Sequence, residues 1–258
     1  RAAVLAAALW VAAAGLRRGG PAGEGIYVGQ EDACTCMNWR SVYKNHLAPC
    51  GHGLEFYLMT KRGVPGPQAE KHLGDEFCGK FFSRIDDNFC VNVDFTHDSS
   101  WRGKQWCYVS ADCKSPGILQ RIAGSSVSWK ICNASDNALR AKTPEQLDSI
   151  RGSQDLDLGL MAKFAYPIWQ KGRWPELGKY FLGVKAAGLR ETEGRHELTK
   201  VFMDWKPMLF DSKDGHPPFH VVNGTKIYKI DFTPHGRQKY AQGRMGEVNS
   251  ITCVQGCH

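Results

Sequence analysis

Ten cysteines are the residues of this sequence with the most evident chemistry. Three of them crowd the segment NFCVNVDFTHDSSWRGKQWCYVSADC at 88–113, together with two tryptophans. Zinc sites usually contain paired Cys-x-x-Cys knuckles, whereas here one residue separates Cys34 from Cys36 and five separate Cys107 from Cys113. The even count and the irregular spacing favour disulfides, and therefore an oxidising compartment, over a metal cluster.

We predict that all ten cysteines form disulfides. The turn-rich SADC and HDSSWRG segments favour a bond from Cys107 to Cys113 or Cys90, while the pair in the final CVQGCH either closes on itself or fastens the tail to the first cysteines. The eight cysteines of the first half allow about 105 pairings, so the remaining connectivity stays open. The set is Cys34, Cys36, Cys50, Cys78, Cys90, Cys107, Cys113, Cys132, Cys253 and Cys257.

Tryptophans are the next candidates for function. Trp101 and Trp106 could stack on a sugar ring, although a tryptophan beside a disulfide more often packs against it in the core. In the second half, an unusually aromatic run suggests a surface that lies on a partner or a membrane interface. The candidate partner or ligand contacts are Trp10, Trp101, Trp106, Trp169 and Trp174.

Other polar residues do not assemble into a recognisable site. Asp86, Asp87 and Asn88, with Asp94 and Asp98 nearby, lack the alternation and central glycine of a calcium loop, which favours a solvated turn. His46, His52, His72 and His97 form no pair at helical spacing. The sequence also lacks a nucleophile elbow, a P-loop, a dinucleotide fingerprint, His-Glu-x-x-His and Cys-x-x-Cys. We predict no catalytic residue, no metal site and no cofactor bound by an identifiable motif.

Composition allows one large domain or two small ones. The chain has 258 residues, of which 42% are hydrophobic, and 33 Lys and Arg stand against 26 Asp and Glu. The mildly basic surface suits anionic partners. No block of basic residues is interleaved with aromatics, so nucleic-acid binding is not expected.

The first 18 residues predict an apolar, membrane-associated or targeting helix, followed by a Gly-rich linker over 19–30. Residues 2–16 carry no charged side chain, and 15 helical residues rise about 22 Å, less than the ~30 Å hydrocarbon core of a bilayer. A retained membrane anchor is favoured over a targeting sequence or a soluble core helix. Arg17 and Arg18 favour a cytoplasmic or stromal side, whereas the following cysteines favour an oxidising lumen.

The rest of the chain predicts an α+β fold in two regions. A disulfide-stapled module over 31–132 is expected to contain a helix between Cys36 and Cys50, a second helix over GDEFCGKFFSRIDDN and a strand at VNVDF. A mixed region over 138–258 contains a capping box at Thr143, a helix ended by Pro167 and a hairpin near 220–232 with an Asn-Gly turn.

Four segments of the module carry a resemblance. CTCMNWRSVY, CGHGLEFY, EFCGKFFSRIDDNFCVNVDF and QWCYVSADC resemble a cysteine-rich lumenal or secreted family characteristic of dinoflagellate algae, with its NW…CG…E, FCVN and QWCYVS blocks. The resemblance covers less than half of the chain and carries over no catalytic residue. It implies a compartment reached through a targeting sequence, with the thylakoid lumen expected, and an accessory subunit of a photosystem.

We therefore expect a non-enzymatic subunit of a thylakoid membrane complex. The helix at residues 2–16 would anchor it, and a lumenal domain would brace photosystem core or antenna subunits, touching chlorophyll or carotenoid only at the interface. The alternative is a secreted or lumenal glycan- or ligand-binding module that uses Trp101 and Trp106.

Overall fold

Two antiparallel four-stranded sheets and several short helices make up the fold. The computed structural model describes residues 32–45, 47–95, 100–101, 103–114, 119–169, 174–181 and 206–257. The helices are α1 (Trp39–Lys44), α2 (Tyr57–Thr60), α3 (Gly66–Leu73), α4 (Pro144–Gln154), α5 (Leu158–Ala165), α6 (Trp174–Phe181) and α7 (Gly236–Ala241). The strands are β1 (Val91–Asn92), β2 (Gln105–Ser110), β3 (Leu119–Arg121), β4 (Val127–Ile131), β5 (Met208–Phe210), β6 (Phe219–Asn223), β7 (Lys226–Phe232) and β8 (Asn249–Gln255). The predicted α+β class is confirmed.

The first sheet has the strand order β1-β2-β4-β3. Strand β2, QWCYVS, is buried along all but its last residue, as expected of a strand covered on both faces. In the antiparallel ladder Trp106 lies opposite Ile131, and Tyr108 lies opposite Trp129. The predicted strand VNVDF contributes only Val91–Asn92 to this sheet.

The second sheet has the order β5-β6-β7-β8 and contains the predicted hairpin. Strands β6 and β7 pair so that Asn223 lies opposite Lys226. Gly224 in the turn has φ 58°, a left-handed conformation that glycine adopts without a steric cost. The hairpin prediction is confirmed because both the turn and the alternating flanks are encoded locally.

All ten cysteines are paired, which confirms the prediction of a disulfide framework. The bonds are Cys34–Cys113, Cys36–Cys107, Cys50–Cys78, Cys90–Cys132 and Cys253–Cys257. The predicted bond from Cys107 to Cys113 or Cys90 is wrong, because the chain before α1 runs along β2 and brings Cys34 and Cys36 to those positions. The final CVQGCH closes on itself.

Helices were predicted correctly where the residues that begin or end them are close in the sequence. Helix α1 begins after Asn38, whose side chain accepts a hydrogen bond from the Ser41 amide. Helix α4 begins with the predicted capping box between Thr143 and Gln146. Helix α5 ends at Ala165, two residues before Pro167, because proline supplies no amide hydrogen.

The predicted second helix of the module is wrong. The segment instead forms a π-helical turn at Gly74–Gly79 and a 3₁₀ turn at Phe82–Arg84. Glycines at both ends of the π-turn weaken a regular helix. The changes of helical form bring Phe77, Phe81 and Phe82 onto one ring of α5, Phe164, at centroid distances of 5.4, 4.9 and 5.0 Å.

One hydrophobic core draws on both predicted regions. Trp39 and Trp106 of the first region belong to the same buried cluster as Phe164 and Ile230 of the second. Asp32–His258 form one compact unit. The predicted N-terminal helix at 1–18, with its candidate contact Trp10, and the linker at 19–30 lie outside the described residues. Within the described ranges, no helix is long and apolar enough to cross a membrane.

Removing the capping hydroxyl should destabilise the fold measurably. In Thr143→Ala the amide of Gln146 loses its acceptor, and we expect the free energy of unfolding to fall by about 1 kcal/mol. Urea unfolding followed by tryptophan fluorescence measures the change. Ser153→Ala, in the exposed last turn of the same helix, is the matched control and should change stability by less than about 0.5 kcal/mol. Equal losses in both variants would contradict the assignment of the cap.

Candidate ligand-binding site

A cavity of about 490 Å³ lies along one face of α5. The helix contributes Gly159, Leu160 and Lys163, which share a face because residues three and four apart are neighbours on a helix. The remaining apolar wall comes from α2, α3, the π-turn, the second sheet and the segments that connect them, and consists of Leu58, Leu73, Phe77, Phe95, Pro217, Phe219, Phe232 and Val248. The other polar residues that line it are Glu76, Asp157, Gly215, His216, Arg237, Tyr240 and Asn249. A largely apolar cavity with a few converging polar groups is the usual form of a small-molecule site.

Asp157 lines the cavity and caps the start of α5. Its Oδ1 accepts hydrogen bonds from the Leu160 amide and from Asn249 Nδ2, both at 2.9 Å. Only 7% of the residue is exposed. Burial raises the pKa of Asp157 to about 6, against the lowering effect of its hydrogen bonds. The carboxyl group therefore exchanges its proton near neutral pH.

Lys163 places a buried ammonium at the other end of the same helix face. Its Nζ donates to the Gly215 carbonyl at 2.6 Å and lies 3.3 Å from Asp211 Oδ2. The ammonium also lies 5.4 Å from the ring centroid of Phe95 and 4.9 Å from that of Phe219. A carboxylate, a carbonyl and two aromatic faces thus compensate its charge in an apolar setting.

Asn249 carries the cavity's one unsatisfied acceptor among the described residues. The residue is 1% exposed, and its Nδ2 donates to Asp157, but its Oδ1 accepts no hydrogen bond. A buried polar atom without a partner costs about 1–3 kcal/mol. Asn249 lines the cavity, but its Oδ1 has less than 1 Å² of accessible surface, so a ligand that brings a donor reaches it only after a shift of the neighbouring side chains.

The mouth of the cavity is aromatic and basic. Arg237 and Tyr240 lie on α7, and Phe232, 39% exposed, precedes that helix. Lys80 Nζ stands 4.0 Å from the ring centroid of Tyr240 while it forms an ion pair with Asp75. The exposed part of the lining therefore combines cations with rings, whereas the buried part holds Asp157 and Lys163 among apolar side chains.

A second cavity, of about 330 Å³, lies beside the Cys50–Cys78 disulfide. Tyr43 and Ser83 supply its polar side chains, and none of its lining residues is charged. It offers less chemistry than the cavity beside α5, on which the functional argument rests.

The predicted tryptophan contacts do not gather at either cavity. Trp106 is fully buried, with its ring 4.8 Å from that of Trp39 in an edge-to-face pair, so it presents no stacking face to a glycan. Trp169 is 6% exposed. Trp174 stacks on His220 at 4.1 Å, and the half-buried Trp101 packs edge-on against Tyr57 and Trp129.

Sequence reasoning missed the residues that matter most at this cavity. Asp157 and Lys163 belong to a segment that was predicted only as a helix. One signal was present: Lys163 is the only charged residue of the eight in LGLMAKFA, and a lone charge in an apolar helix needs a buried partner. Asn249 had no such signal, because it approaches Asp157 from 92 residues away.

The comparisons with known proteins do not extend this description. No protein-family model, no curated protein and no solved structure matches the chain.

Asp157 should make stability depend on pH. Its folded-state pKa of about 6 exceeds the value of about 3.9 expected in an unfolded chain. The folded state therefore binds the proton more tightly, and stability falls as pH rises from about 4 to about 6. Relative to Asp157→Asn, we expect the wild type to lose roughly 3 kcal/mol at most over this window.

Chemical unfolding of both proteins at a series of pH values between about 4 and 7 measures this difference. Asp112→Asn, at an exposed turn, is the control and should track the wild type at each pH. A wild-type minus Asp157→Asn difference that is flat across the series would contradict the buried, titrating carboxyl group.

Proposed function

We propose that this protein is a disulfide-stabilised binding protein of an oxidising compartment. In this proposal, the cavity beside α5 holds a small, mostly apolar molecule that carries one hydrogen-bond donor. The observation that carries the proposal is the apolar cavity, whose lining residue Asn249 has a buried Oδ1 that accepts no hydrogen bond.

The size and walls of the cavity support a compact apolar ligand. Its volume of about 490 Å³ falls within the ~300–1,000 Å³ of typical small-molecule sites. Leucine and phenylalanine side chains from several elements form the wall, so a ligand that fills the cavity would remove apolar surface from water on all sides. That burial supplies most of the binding free energy in this proposal.

The polar groups support a neutral ligand with a donor. Lys163 is already compensated by Asp211 and by the Gly215 carbonyl, so it does not require an anionic ligand. Near neutral pH the Asp157 carboxyl group is present in both its protonated and its charged form. The amide oxygen of Asn249 is an acceptor in both cases. A hydroxyl or amine on an otherwise apolar molecule would donate a hydrogen bond to this acceptor. A ligand without a donor would leave the acceptor unpaired and would bind more weakly for that reason.

This proposal moves the binding site predicted from the sequence. The alternative function placed a ligand at Trp101 and Trp106, whereas the cavity uses neither ring. The subunit of a thylakoid membrane complex, its photosystem partners and its pigment contacts remain predictions, because the anchor on which they depend, residues 1–18, lies outside the described residues. The prediction that the protein is not an enzyme also remains a prediction.

Binding of N-phenyl-1-naphthylamine tests the proposed function. This probe is apolar, carries one N–H donor and fluoresces strongly when it leaves water. We expect saturable binding of one molecule per chain, and binding about tenfold tighter than that of 1-phenylnaphthalene, a hydrocarbon without the donor. Fluorescence titration and competition between the two compounds measure the ratio.

Leu160→Trp should abolish probe binding, because the larger side chain fills the cavity from α5. Val254→Trp is the matched control, since Val254 is 45% exposed on β8, and it should bind the probe as the wild type does. Near-UV circular dichroism of both variants establishes that each is folded. Probe binding that survives Leu160→Trp, or equal affinities for the two compounds, would overturn the proposal.

A further inference from the structure

Two disulfides lie side by side against the first sheet. Cys36 Sγ of one bond is 3.6 Å from Cys90 Sγ and 4.0 Å from Cys132 Sγ of the other. Together with Cys107, these four sulfur atoms lie within 4.8 Å of one another. We call them the sulfur quartet.

We propose that the sulfur quartet binds one Zn²⁺ through four thiolates when both disulfides are reduced. A tetrahedral zinc site with Zn–S bonds of about 2.3 Å places its sulfurs roughly 3.8 Å apart. The two contacts of Cys36 Sγ with the other disulfide, at 3.6 and 4.0 Å, already have this spacing, and Cys107 Sγ lies within 4.8 Å of both partners. Opening each disulfide lets its own two sulfurs separate to the same distance, with side-chain rotations alone.

Backbone hydrogen bonds hold the four cysteines without help from the disulfides. The Met37 amide donates to the Tyr108 carbonyl at 2.8 Å, which places Cys36 beside β2. Cys90 is held between Asn137 and Leu139 by bonds of 2.9 and 3.0 Å, and the Cys132 amide donates to Gln105 at 2.8 Å. Cys107 lies within the ladder, opposite Lys130. These bonds favour the same placement of the four cysteines after reduction, so a metal would not bear the full cost of ordering the site.

Burial and ligand type select the metal. Cys90 and Cys107 are fully buried, Cys36 is 6% exposed and Cys132 is half-buried, so water reaches the site mainly from the side of Cys132 and four thiolates are available for the four tetrahedral positions. Four thiolates favour zinc over calcium or magnesium, which prefer oxygen ligands. The Lys130 ammonium, 8% exposed and paired with Asp136 at 2.7 Å, supplies a cation next to the site, where Asp136 Oδ1 lies 3.7 Å from Cys36 Sγ.

The conversion balances with a dithiol as the reductant. Each protein disulfide accepts two electrons and two protons from one dithiol, which becomes a disulfide in turn. Zinc then displaces four protons from the four thiols, and the resulting ZnS₄ unit carries a net charge of −2. The oxidised form holds disulfides and the reduced form holds the metal.

Cobalt titration of the full-length protein tests this inference. The protein is reduced anaerobically with a water-soluble phosphine, which takes an oxygen atom from water to become a phosphine oxide as each disulfide becomes two thiols and which adds no competing thiol. Co²⁺ is then added as the spectroscopic probe. We expect one Co²⁺ per chain, with thiolate-to-metal charge-transfer bands and the intense visible bands of tetrahedral cobalt. One equivalent of Zn²⁺ should then erase the spectrum.

Paired variants identify the ligands. Cys90→Ser/Cys132→Ser should lose at least 100-fold in metal affinity, whereas Cys50→Ser/Cys78→Ser, which removes a disulfide outside the sulfur quartet, should keep the tetrahedral spectrum. If reduction unfolds the chain, Zn²⁺ should restore its near-UV circular dichroism, because Trp106 adjoins Cys107. An octahedral spectrum, metal binding that survives Cys90→Ser/Cys132→Ser, or no stoichiometric binding would overturn the inference.

Discussion

The two ends of α5 are bonded to different sheets, and the rest of the structure depends on this link. At its carboxyl end, Pro167 has no amide hydrogen to donate to the Lys163 carbonyl. Asn92 of β1 supplies the missing donor: its Nδ2 donates to the Lys163 carbonyl at 2.8 Å and to the Tyr166 carbonyl at 3.0 Å. At its amino end, the capping Asp157 binds Asn249 of β8. Every helix leaves backbone amides and carbonyls without partners at its termini. In α5 the side chains that satisfy these groups also connect the helix to the two sheets.

The cavity and its buried charges follow from that link. The helix, fixed at both ends, packs Phe164 into the core and lines the cavity with Gly159, Leu160 and Lys163. Asp157 must then stay buried in order to serve as cap and as link. Its raised pKa shows that the burial penalty exceeds the gain from its hydrogen bonds. The cost of burying the Asp157 carboxyl group therefore falls beside Asn249, whose Oδ1 accepts no hydrogen bond.

Local signals in the sequence predicted the parts of the fold that local forces determine. Thr143 and Gln146 bond to each other's backbone three residues apart, and Asn223-Gly224 sets its own turn, so both predictions are confirmed. The disulfide partners depend instead on the strand order β1-β2-β4-β3, which spacing along the chain does not contain. The cavity depends on the contact between Asp157 and Asn249, which are far apart in the sequence. The one local signal for a buried polar site was the single lysine in the apolar helix α5.

Covalent and non-covalent stabilisation divide between the two walls of the cavity. The four disulfides with sequence separations of 28 to 79 all close within the first region, each adding about 2–4 kcal/mol by restricting the unfolded chain. Around the second sheet, the single bridge Cys253–Cys257 spans four positions. That sheet is held instead by contacts such as those of Arg151 with the Gly246 carbonyl and Glu145 with Tyr228.

Phe77 and Phe95 therefore belong to the covalently constrained wall, while Phe219 and Asn249 belong to the wall that lacks long-range bridges. Local opening costs least where contacts are fewest and no cross-link intervenes. A molecule that enters the cavity would add apolar contacts to both walls, including the wall that lacks long-range bridges. A ligand stabilises whatever state it binds. A ligand in contact with both walls would therefore link the stability of the second sheet to that of the constrained first region, in addition to the link made by the ends of α5 and the shared core.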